Sequence, residues 1–203
     1  MIVHDVEQRS PEWSALRCGR PTASDFNRLI TSSGKPSSSL SDYAATLAAE
    51  LYAGRQLEAW QGSQWTERGI ELEPEARSHY EFVNGVEVRQ VGFVTDGEAG
   101  CSPDGFVGDD GMVEFKCLSP WNHVQAYAYW RRSGDIFSTY VAQVQGQLLL
   151  CRRKWVDLVF YHPDLPSFTA RILPDKQFHA ALVGQLRTCI AERNELVELL
   201  RTA

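Results

Sequence analysis

Apolar residues recur at helical spacing over much of this chain, and the shorter runs between these stretches have the composition of strands. The pattern predicts helices over 10–17, 22–30, 41–54, 64–82, 120–132, 136–151 and 175–200. It predicts strands within 86–94 and 101–117, and over 155–161 and 168–172. Helices therefore precede a group of strands, which is followed by helix, strands and helix. This order predicts an α/β (α+β) fold in which helices flank a mixed central sheet.

Local signals add three expectations. Pro74 is expected to kink or restart the helix over 64–82. The polar stretch 31–39, T-S-S-G-K-P-S-S-S, is expected to form a mobile loop that touches a ligand. The basic run 152–154 at the end of a helix suits the helix dipole, DNA contact, or both.

The chain has 203 residues, of which 43% are hydrophobic. This is enough for one globular domain with a sizeable core, so 1–203 is predicted to be a single domain. No apolar run is long enough to span a bilayer, and the first residues lack a signal-peptide pattern. The five cysteines, an odd number without a C-x-x-C pair, indicate reduced thiols. We therefore expect a cytoplasmic protein with no membrane partner.

The formal net charge is −6. A protein that coats DNA without sequence preference is usually basic, so this charge argues against a simple DNA-binding module. It does not argue against a nuclease, because an acidic metal site can coexist with a local basic path.

The stretch 101–117, C-S-P-D-G-F-V-G-D-D-G-M-V-E-F-K-C, carries the most informative chemistry. Turn sequences within it separate short strands. Alternation places Glu114 and Lys116 on the same face of the last strand, about 7 Å apart. If the strands are neighbours, Asp104 lies beside Glu114. Two carboxylates and a lysine would then converge, with the carbonyl of Phe115 between Glu114 and Lys116.

Such a group of oxygen ligands suits Mg²⁺. The ion would activate water and neutralise charge on a phosphodiester, and the lysine would orient or deprotonate the water. The spacing is that of the P-D-x(n)-[DE]-x-K nuclease motif. By itself the pattern fits a polar strand face in water equally well, so both interpretations stand at this point.

Further polar residues could join this group. Glu71, Glu73 and Glu75 lie in one predicted helix, and a carboxylate from there could reach the metal. Gln143 and Gln147 lie one turn apart in another helix and could face the cluster. The alternative for both sets is a solvated helix face.

A second arrangement occurs at 17–24, R-C-G-R-P-T-A-S. It places arginines and hydroxyl groups around a helix N-terminus, where anions such as phosphate bind. The alternative is ordinary helix capping, with Thr22 as the capping residue.

Five separated motifs together resemble the phage lambda exonuclease family, also called YqaJ-type viral recombinases, of the PD-(D/E)xK nuclease superfamily. They occur in the family's order and roughly its spacing, and the resemblance extends from about Glu7 to the final helix. The motifs are W-S-A-L-R-C-G-R-P-T-A-S at 13–24, G-I-E-L-E-P-E-A-R at 69–77, C-S-P-D-G at 101–105, V-E-F-K-C at 113–117 and Y-V-A-Q-V-Q at 140–145.

The resemblance implies a restriction-endonuclease-like fold and a processive, Mg²⁺-dependent 5′→3′ exonuclease on linear double-stranded DNA. Such an enzyme releases mononucleotides and leaves a 3′ single strand for an annealing protein, in a phage or prophage setting. The family forms homotrimeric rings around DNA. Mg²⁺ would act as a pair of ions, for which Mn²⁺ can substitute.

The resemblance also implies roles for individual residues. Asp104 and Glu114 resemble Mg²⁺ ligands, aided by the backbone carbonyl of Phe115. Lys116 resembles the residue that activates or positions water.

Other roles follow from the remaining motifs. Glu73 resembles a supporting carboxylate, and Gln143 resembles the glutamine that completes the catalytic site. A pocket for the terminal 5′-phosphate is implied at Arg17, Ser24 and Ser102.

The chain departs from the family pattern after Lys116. Leu118 replaces the proline that commonly follows the lysine-cysteine pair. Some members place a phosphate-binding arginine shortly afterwards, where this chain has W-N-H at 121–123. His123 is the candidate to replace that arginine.

Two other functions compete with this one. A structure-specific or restriction-type endonuclease would have the same fold, because fold does not fix function. A catalytically inactive DNA-binding scaffold is less consistent with intact Asp104, Glu114 and Lys116 and with the acidic net charge.

Overall fold

The computed structural model describes residues 1–57 and 64–202. A first strand at Ile2–His4 is not among the predicted elements; the others follow the predicted order, with boundaries shifted by a residue or two in most cases. The helices are α1 (Pro11–Arg17), a 3₁₀ helix (Ala23–Arg28), α2 (Leu40–Ala53), α3 (Gln64–Asn84), α4 (Pro120–Ser133), α5 (Ser138–Cys151) and α6 (Lys176–Arg201). The strands are β1 (Ile2–His4), β2 (Val88–Arg89), β3 (Phe93–Asp96), β4 (Ala99–Cys101), β5 (Gly105–Val107), β6 (Gly111–Lys116), β7 (Trp155–Phe160) and β8 (Phe168–Ile172).

The strands form two sheets, in the orders β1-β3-β4 and β2-β5-β6-β7-β8. In the larger sheet β6 and β7 are parallel, whereas the other neighbouring strands are antiparallel. The prediction of a mixed sheet flanked by helices is therefore confirmed. The smaller sheet is an addition to the predicted central one.

The chain crosses from the smaller sheet to the larger one immediately before β5, and this crossing places Asp104. Gly105 pairs with Val113 in the β5–β6 register, so Asp104 lies at the end of the β6 ladder. Only glycine fits at position 105 because β2 lies close by: a Cβ there would be 2.2 Å from Cγ1 of Val88. The close packing of β2 and β5 thus fixes where Asp104 leaves the sheet.

Strand β6 has two buried faces. Met112 belongs to the main core, which also contains apolar residues of α5. Val113 and Phe115 pack with Ala76 and Tyr80 of α3 in a second core. Residues on the Met112 face, which includes Glu114, are therefore held between the sheet and α5.

The segment predicted as a helix over 22–30 differs from expectation. It is a 3₁₀ helix, with backbone hydrogen bonds from Asp25 N to Thr22 O and from Leu29 N to Phe26 O, both 2.9 Å. Thr22 stands at the N-cap position but its side chain makes no capping hydrogen bond, so the alternative of ordinary capping by Thr22 is wrong. Its hydroxyl group instead accepts a hydrogen bond from Arg17.

Other local features are set by the chain itself. Helix α3 continues through Pro74 and does not restart there. Ser10 caps α1, because its Oγ accepts a hydrogen bond from Trp13 N at 3.1 Å. The polar stretch 31–39 is a hydrogen-bonded turn, in which Thr31 N donates to Lys35 O at 2.8 Å. Its mobility stays a prediction.

The basic run 152–154 is engaged within the protein. Arg152 pairs with Asp96 at 3.0 Å, and Lys154 pairs with Asp110 at 2.9 Å. Arg153 Nη1 donates to the backbone carbonyl of Gly108 at 3.0 Å. These contacts tie the end of α5 to neighbouring turns, which gives the run a structural role.

All five cysteines are free thiols, and the Sγ atoms of Cys101 and Cys151 lie 3.4 Å apart in the core.

Within 1–57 and 64–202, no helix is both long and apolar enough to cross a membrane. That residues 1–203 form a single domain stays a prediction.

Candidate active site

Glu114 is the centre of a buried hydrogen-bonded cluster between β6 and α5. Its side chain is 6% exposed. Its Oε1 accepts hydrogen bonds from Lys116 Nζ at 2.9 Å and from Gln143 Nε2 at 2.7 Å. Its Oε2 accepts a third from Gln147 Nε2 at 2.8 Å. A carboxylate that accepts from three donors has a fixed orientation. Because Glu114 is buried, the alternative of a polar strand face in water is wrong.

Lys116 is held in the same cluster. Its Nζ also donates to Gln143 Oε1 at 3.0 Å, so the Gln143 amide bridges the ion pair. Burial lowers the pKa of Lys116, but the nearby carboxylates of Glu114 and Asp104 outweigh it and raise the pKa above its ordinary value. The cluster thus holds the Lys116 ammonium group beside Glu114, where it could orient or deprotonate a water.

Asp104 approaches the cluster from the β4–β5 crossing. Its Oδ2 accepts a hydrogen bond from Phe115 N at 2.6 Å. Desolvation raises the pKa of Asp104 well above its usual range, and the charges of Glu114 and Glu73 raise it further. Asp104 and Glu114 thus lie on one side of the cavity, near enough for their charges to interact, and a divalent cation would relieve their repulsion.

Glu73 reaches the site from α3. Its Oε1 accepts a hydrogen bond from Arg77 Nη2 at 2.9 Å, and its Oε2 lies 3.5 Å from Arg9 Nη2. Glu71 and Glu75, two positions away on either side, are exposed. Helical geometry therefore turns only the middle glutamate of the three towards the site.

A cavity of about 370 Å³ joins these groups, and its lining includes Glu73, Asp104, Glu114, Phe115 and Lys116. Hard oxygen donors of this kind fit Mg²⁺. Among the described residues, no three His, Cys, Asp or Glu side chains surround a common metal position. A metal would therefore depend on Asp104 and Glu114 with help from backbone oxygen, because arginines hold Glu73.

The predicted phosphate-binding residues form a second cluster. Arg17 Nη2 donates to Thr22 Oγ1 at 3.1 Å and to Ser24 Oγ at 3.2 Å. The Arg17 guanidinium lies 4.3 Å from the centre of the Trp13 ring. The Trp13 indole N–H donates to Ser102 Oγ at 2.7 Å. Trp13 therefore connects Arg17 and Ser24 to Ser102, two residues before Asp104 in the chain.

This second cluster differs from the anion site that the sequence suggests. The 3₁₀ helix has six residues and little dipole, so phosphate binding would rest on side chains. The Arg17 side chain is 15% exposed, and burial lowers its pKa although the charge of Asp25 opposes this. Its hydrogen bonds fit the alternative in which Arg17 braces its own turn. Phosphate binding by Arg17, Ser24 and Ser102 stays a prediction.

His123 does not replace the missing phosphate-binding arginine. It is 1% exposed, its Nε2 lies 2.9 Å from the carbonyl oxygen of Pro166, and its ring packs against Phe168 and His162. The prediction is wrong because α4 turns this side chain into the core. Asn122, one residue earlier, lines the catalytic cavity instead.

Three residues at these sites were missed by sequence reasoning. Trp13 and Arg77 lie inside motifs that carry the family resemblance, so the motifs could have revealed them. Arg9 precedes the first motif, and only its charge marks it in the sequence. Its contact with Glu73 depends entirely on tertiary structure.

Comparison with solved structures agrees with this architecture. The crystal structure of an alkaline exonuclease, LHK-Exo from Laribacter hongkongensis, has a TM-score of 0.83 and 32% sequence identity, covering 95% of this chain and 97% of that one. A structure of LHK-Exo in complex with dAMP has a TM-score of 0.82 at the same identity and coverage. A phage related exonuclease from Haemophilus somnus 129PT shares the fold, with a TM-score of 0.70 and 15% identity over 89% of this chain and 96% of that one. No curated protein matches the chain.

The family match covers most of the chain. Residues 12–153 match the family described as the YqaJ-like viral recombinase domain. This range contains all five motifs and both polar clusters around Glu114 and Arg17. By its motifs, by this match and by its identity with LHK-Exo, the chain belongs to the YqaJ-like viral recombinase family.

Proposed function

We propose that this protein is a Mg²⁺-dependent 5′→3′ exonuclease that degrades linear double-stranded DNA in the cytoplasm. It releases mononucleotides and leaves a 3′ single strand for an annealing protein. The observation that carries the proposal is the meeting of Asp104, Glu114 and Lys116 in one cavity of a chain from this family.

The residues of the cavity divide the work. Mg²⁺, held by Asp104, Glu114 and the carbonyl of Phe115, would supply an activated water and neutralise charge on the phosphodiester. Lys116 orients or activates the attacking water. Gln143 keeps the side chains of Lys116 and Glu114 in place.

Glu73 has a supporting role at the edge of this site. Its carboxylate lines the cavity while its pairing with Arg77 holds it on α3. It adds negative charge near the metal ligands, which favours cation binding.

The 5′→3′ direction of digestion is assigned to the Arg17 cluster. A guanidinium can bind phosphate with two parallel charge-assisted hydrogen bonds, and Ser24 and Ser102 add hydroxyl donors. A terminal 5′-phosphate carries more charge than an internal one, so the pocket prefers it. Each cleavage exposes a new 5′-phosphate, which would draw the strand forward and give the enzyme direction.

The relatives support this reading. LHK-Exo is an alkaline exonuclease, and its complex with dAMP contains a mononucleotide of the kind that an exonuclease releases. At 32% identity over 95% of this chain, the same reaction is the simplest inference for this protein.

A homotrimeric ring is part of the proposal. With a net charge of −6, the protein would track DNA better if its basic residues lined a closed channel. Trp121 on α4 is 71% exposed and available for an interface, whereas Tyr127 and Trp130 pack against Phe168. Sedimentation that shows only monomer at micromolar concentration would contradict the ring.

The deciding experiment measures digestion of linear duplex labelled at either end. We expect Mg²⁺-dependent release of the 5′ label first, and faster degradation of duplex with 5′-phosphate than with 5′-hydroxyl. Arg17→Ala should remove this difference, a loss of about tenfold to a hundredfold, because a hydrogen bond to a charged group contributes roughly 1.5–3 kcal/mol. If Arg17 only braces its turn, the variant will lose thermal stability and keep the preference.

The endonuclease alternative is tested in the same assay. Circular duplex offers no end, so it should resist the proposed exonuclease. Cleavage of circular and linear duplex at similar rates, with no preference for 5′-phosphate, would favour an endonuclease of the same fold. DNA binding without cleavage in Mg²⁺ or Mn²⁺ would favour the inactive scaffold.

A further inference from the structure

A second cavity adjoins the catalytic one. It has a volume of about 550 Å³ and shares Arg9, Ile70, Glu73 and Asp104 with the catalytic cavity. The shared side chains place the two cavities next to each other. Arg9 lines both of them.

Arg9 has an unfavourable backbone conformation. Its φ angle is 70°, in the left-handed region that favours glycine. Neighbouring contacts impose this conformation: the Gln8 side chain donates to Val91 O at 2.7 Å and to Pro103 O at 3.2 Å, and Ser10 N donates to Glu7 O at 3.2 Å. Residues held in such conformations cluster at functional sites.

The Arg9 side chain is available to a ligand. It is 49% exposed, and its 3.5 Å approach to Glu73 exceeds the usual hydrogen-bond distance of roughly 2.7–3.2 Å. Arg77 binds Glu73 more closely, at 2.9 Å, so Glu73 keeps an ion-pair partner without Arg9. The acidic residues of the rim, Asp5 and Glu7, are exposed, where solvent and salt screen their charge.

We propose that Arg9 forms a phosphate-binding site in the second cavity. This site would hold a backbone phosphate that neighbours, along the same DNA strand, the phosphate being cleaved. The inference rests on the proposed nuclease function. A planar guanidinium suits a phosphodiester because it can donate two parallel hydrogen bonds. Binding there would hold the DNA strand beside Asp104 and Glu73, which line both cavities.

The test measures binding of a 5′-phosphorylated linear duplex in Ca²⁺, over a series of salt concentrations. One lost phosphate contact should lower the slope of log affinity against log salt by about 0.7–0.9. We expect this decrease, and about a tenfold loss of affinity at low salt, in Arg9→Gly and Arg9→Gln. Arg9→Lys keeps the charge and should keep most of the slope.

Thermal unfolding separates this role from a structural one. Glycine relieves the left-handed conformation, so Arg9→Gly should raise Tm by about 2–4 °C while binding weakens. Arg152 is a matched control, since it also has a positive φ angle, 54°, but pairs with Asp96 outside both cavities. Arg152→Gly should leave the salt slope unchanged.

The outcomes distinguish the two proposals. If the unmodified protein degrades linear duplex but the Arg9 variants keep the salt slope, only the Arg9 site is overturned. A lower Tm in Arg9→Gly with unchanged binding would assign Arg9 a structural role. If the unmodified protein neither binds nor degrades duplex, the nuclease proposal fails as well.

Discussion

The clusters around Glu114 and Arg17 contain similar polar groups but are held in different ways. Glu114 is buried, and its partners come from β6 and α5, so the cluster is assembled across tertiary structure. Arg17 contacts Thr22 and Ser24 within one local turn, and Ser24 is exposed. The Trp13–Ser102 hydrogen bond ties α1 to the strand crossing that carries Asp104, and a backbone hydrogen bond from Gly100 N to Pro21 O ties the turn to β4.

The difference indicates what each cluster can do. A buried carboxylate with all its donors in place is preorganised, which suits a metal ligand that must not move during a reaction. A partly exposed arginine with local partners can exchange a hydroxyl contact for a phosphate at little cost. We therefore expect substitutions at Glu114 to affect chemistry and stability, and substitutions near Arg17 to affect mainly substrate preference.

The largest effect is expected from isosteric changes at the metal ligands. Asp104→Asn and Glu114→Gln remove a negative charge but keep size, so cleavage should fall on the order of a thousandfold, as several kcal/mol of metal-derived stabilisation is lost. The measurement is the rate of mononucleotide release from linear duplex in Mg²⁺. Asp109→Asn, at an exposed turn, is the control and should keep full activity.

Metal removal extends this prediction. A chelator should stop cleavage by the unmodified protein, and added Mg²⁺ should restore it. Ca²⁺ should allow DNA binding without turnover. Substantial Mg²⁺-dependent activity in Asp104→Asn would show that the metal is held elsewhere.

A stability measurement sharpens the comparison. Polar residues at a metal site often contribute little to the core, but Glu114 is an exception because its removal leaves the largely buried Lys116 ammonium, 17% exposed, without its ion-pair partner. Glu114→Ala should cost about 3–5 kcal/mol of unfolding free energy. Ser24→Ala should cost less than about 1 kcal/mol. Equal, small losses in denaturant unfolding would contradict the proposed difference between the clusters.

The smallest effect is expected at the link between the clusters. Trp13→Phe keeps an aromatic ring next to Arg17 but removes the N–H donor to Ser102. The preference for 5′-phosphate over 5′-hydroxyl should fall about two- to tenfold, as for one hydrogen bond. The rate on 5′-hydroxyl duplex is the internal control and should change little. An unchanged preference would mean that Ser102 does not depend on Trp13.

The sequence by itself determined the order of elements and the meeting of Glu114 with Lys116. Both follow from local periodicity: alternation along a strand places residues two apart on one face, whatever surrounds it. The order and the Glu114–Lys116 pair persist in the structure because backbone geometry sets them. The position of Asp104 beside Glu114 was only conditional in the sequence, because it depends on β5 pairing with β6 and packing against β2.

Tertiary structure decided which of the polar residues face each other. Helical spacing alone could not tell that Glu73 faces the cavity while Glu71 and Glu75 are exposed, since that depends on how α3 packs against β6. The burial of His123 and the left-handed conformation of Arg9 have the same origin. Each reflects contacts between segments far apart in the chain, and such contacts leave no local period in the sequence.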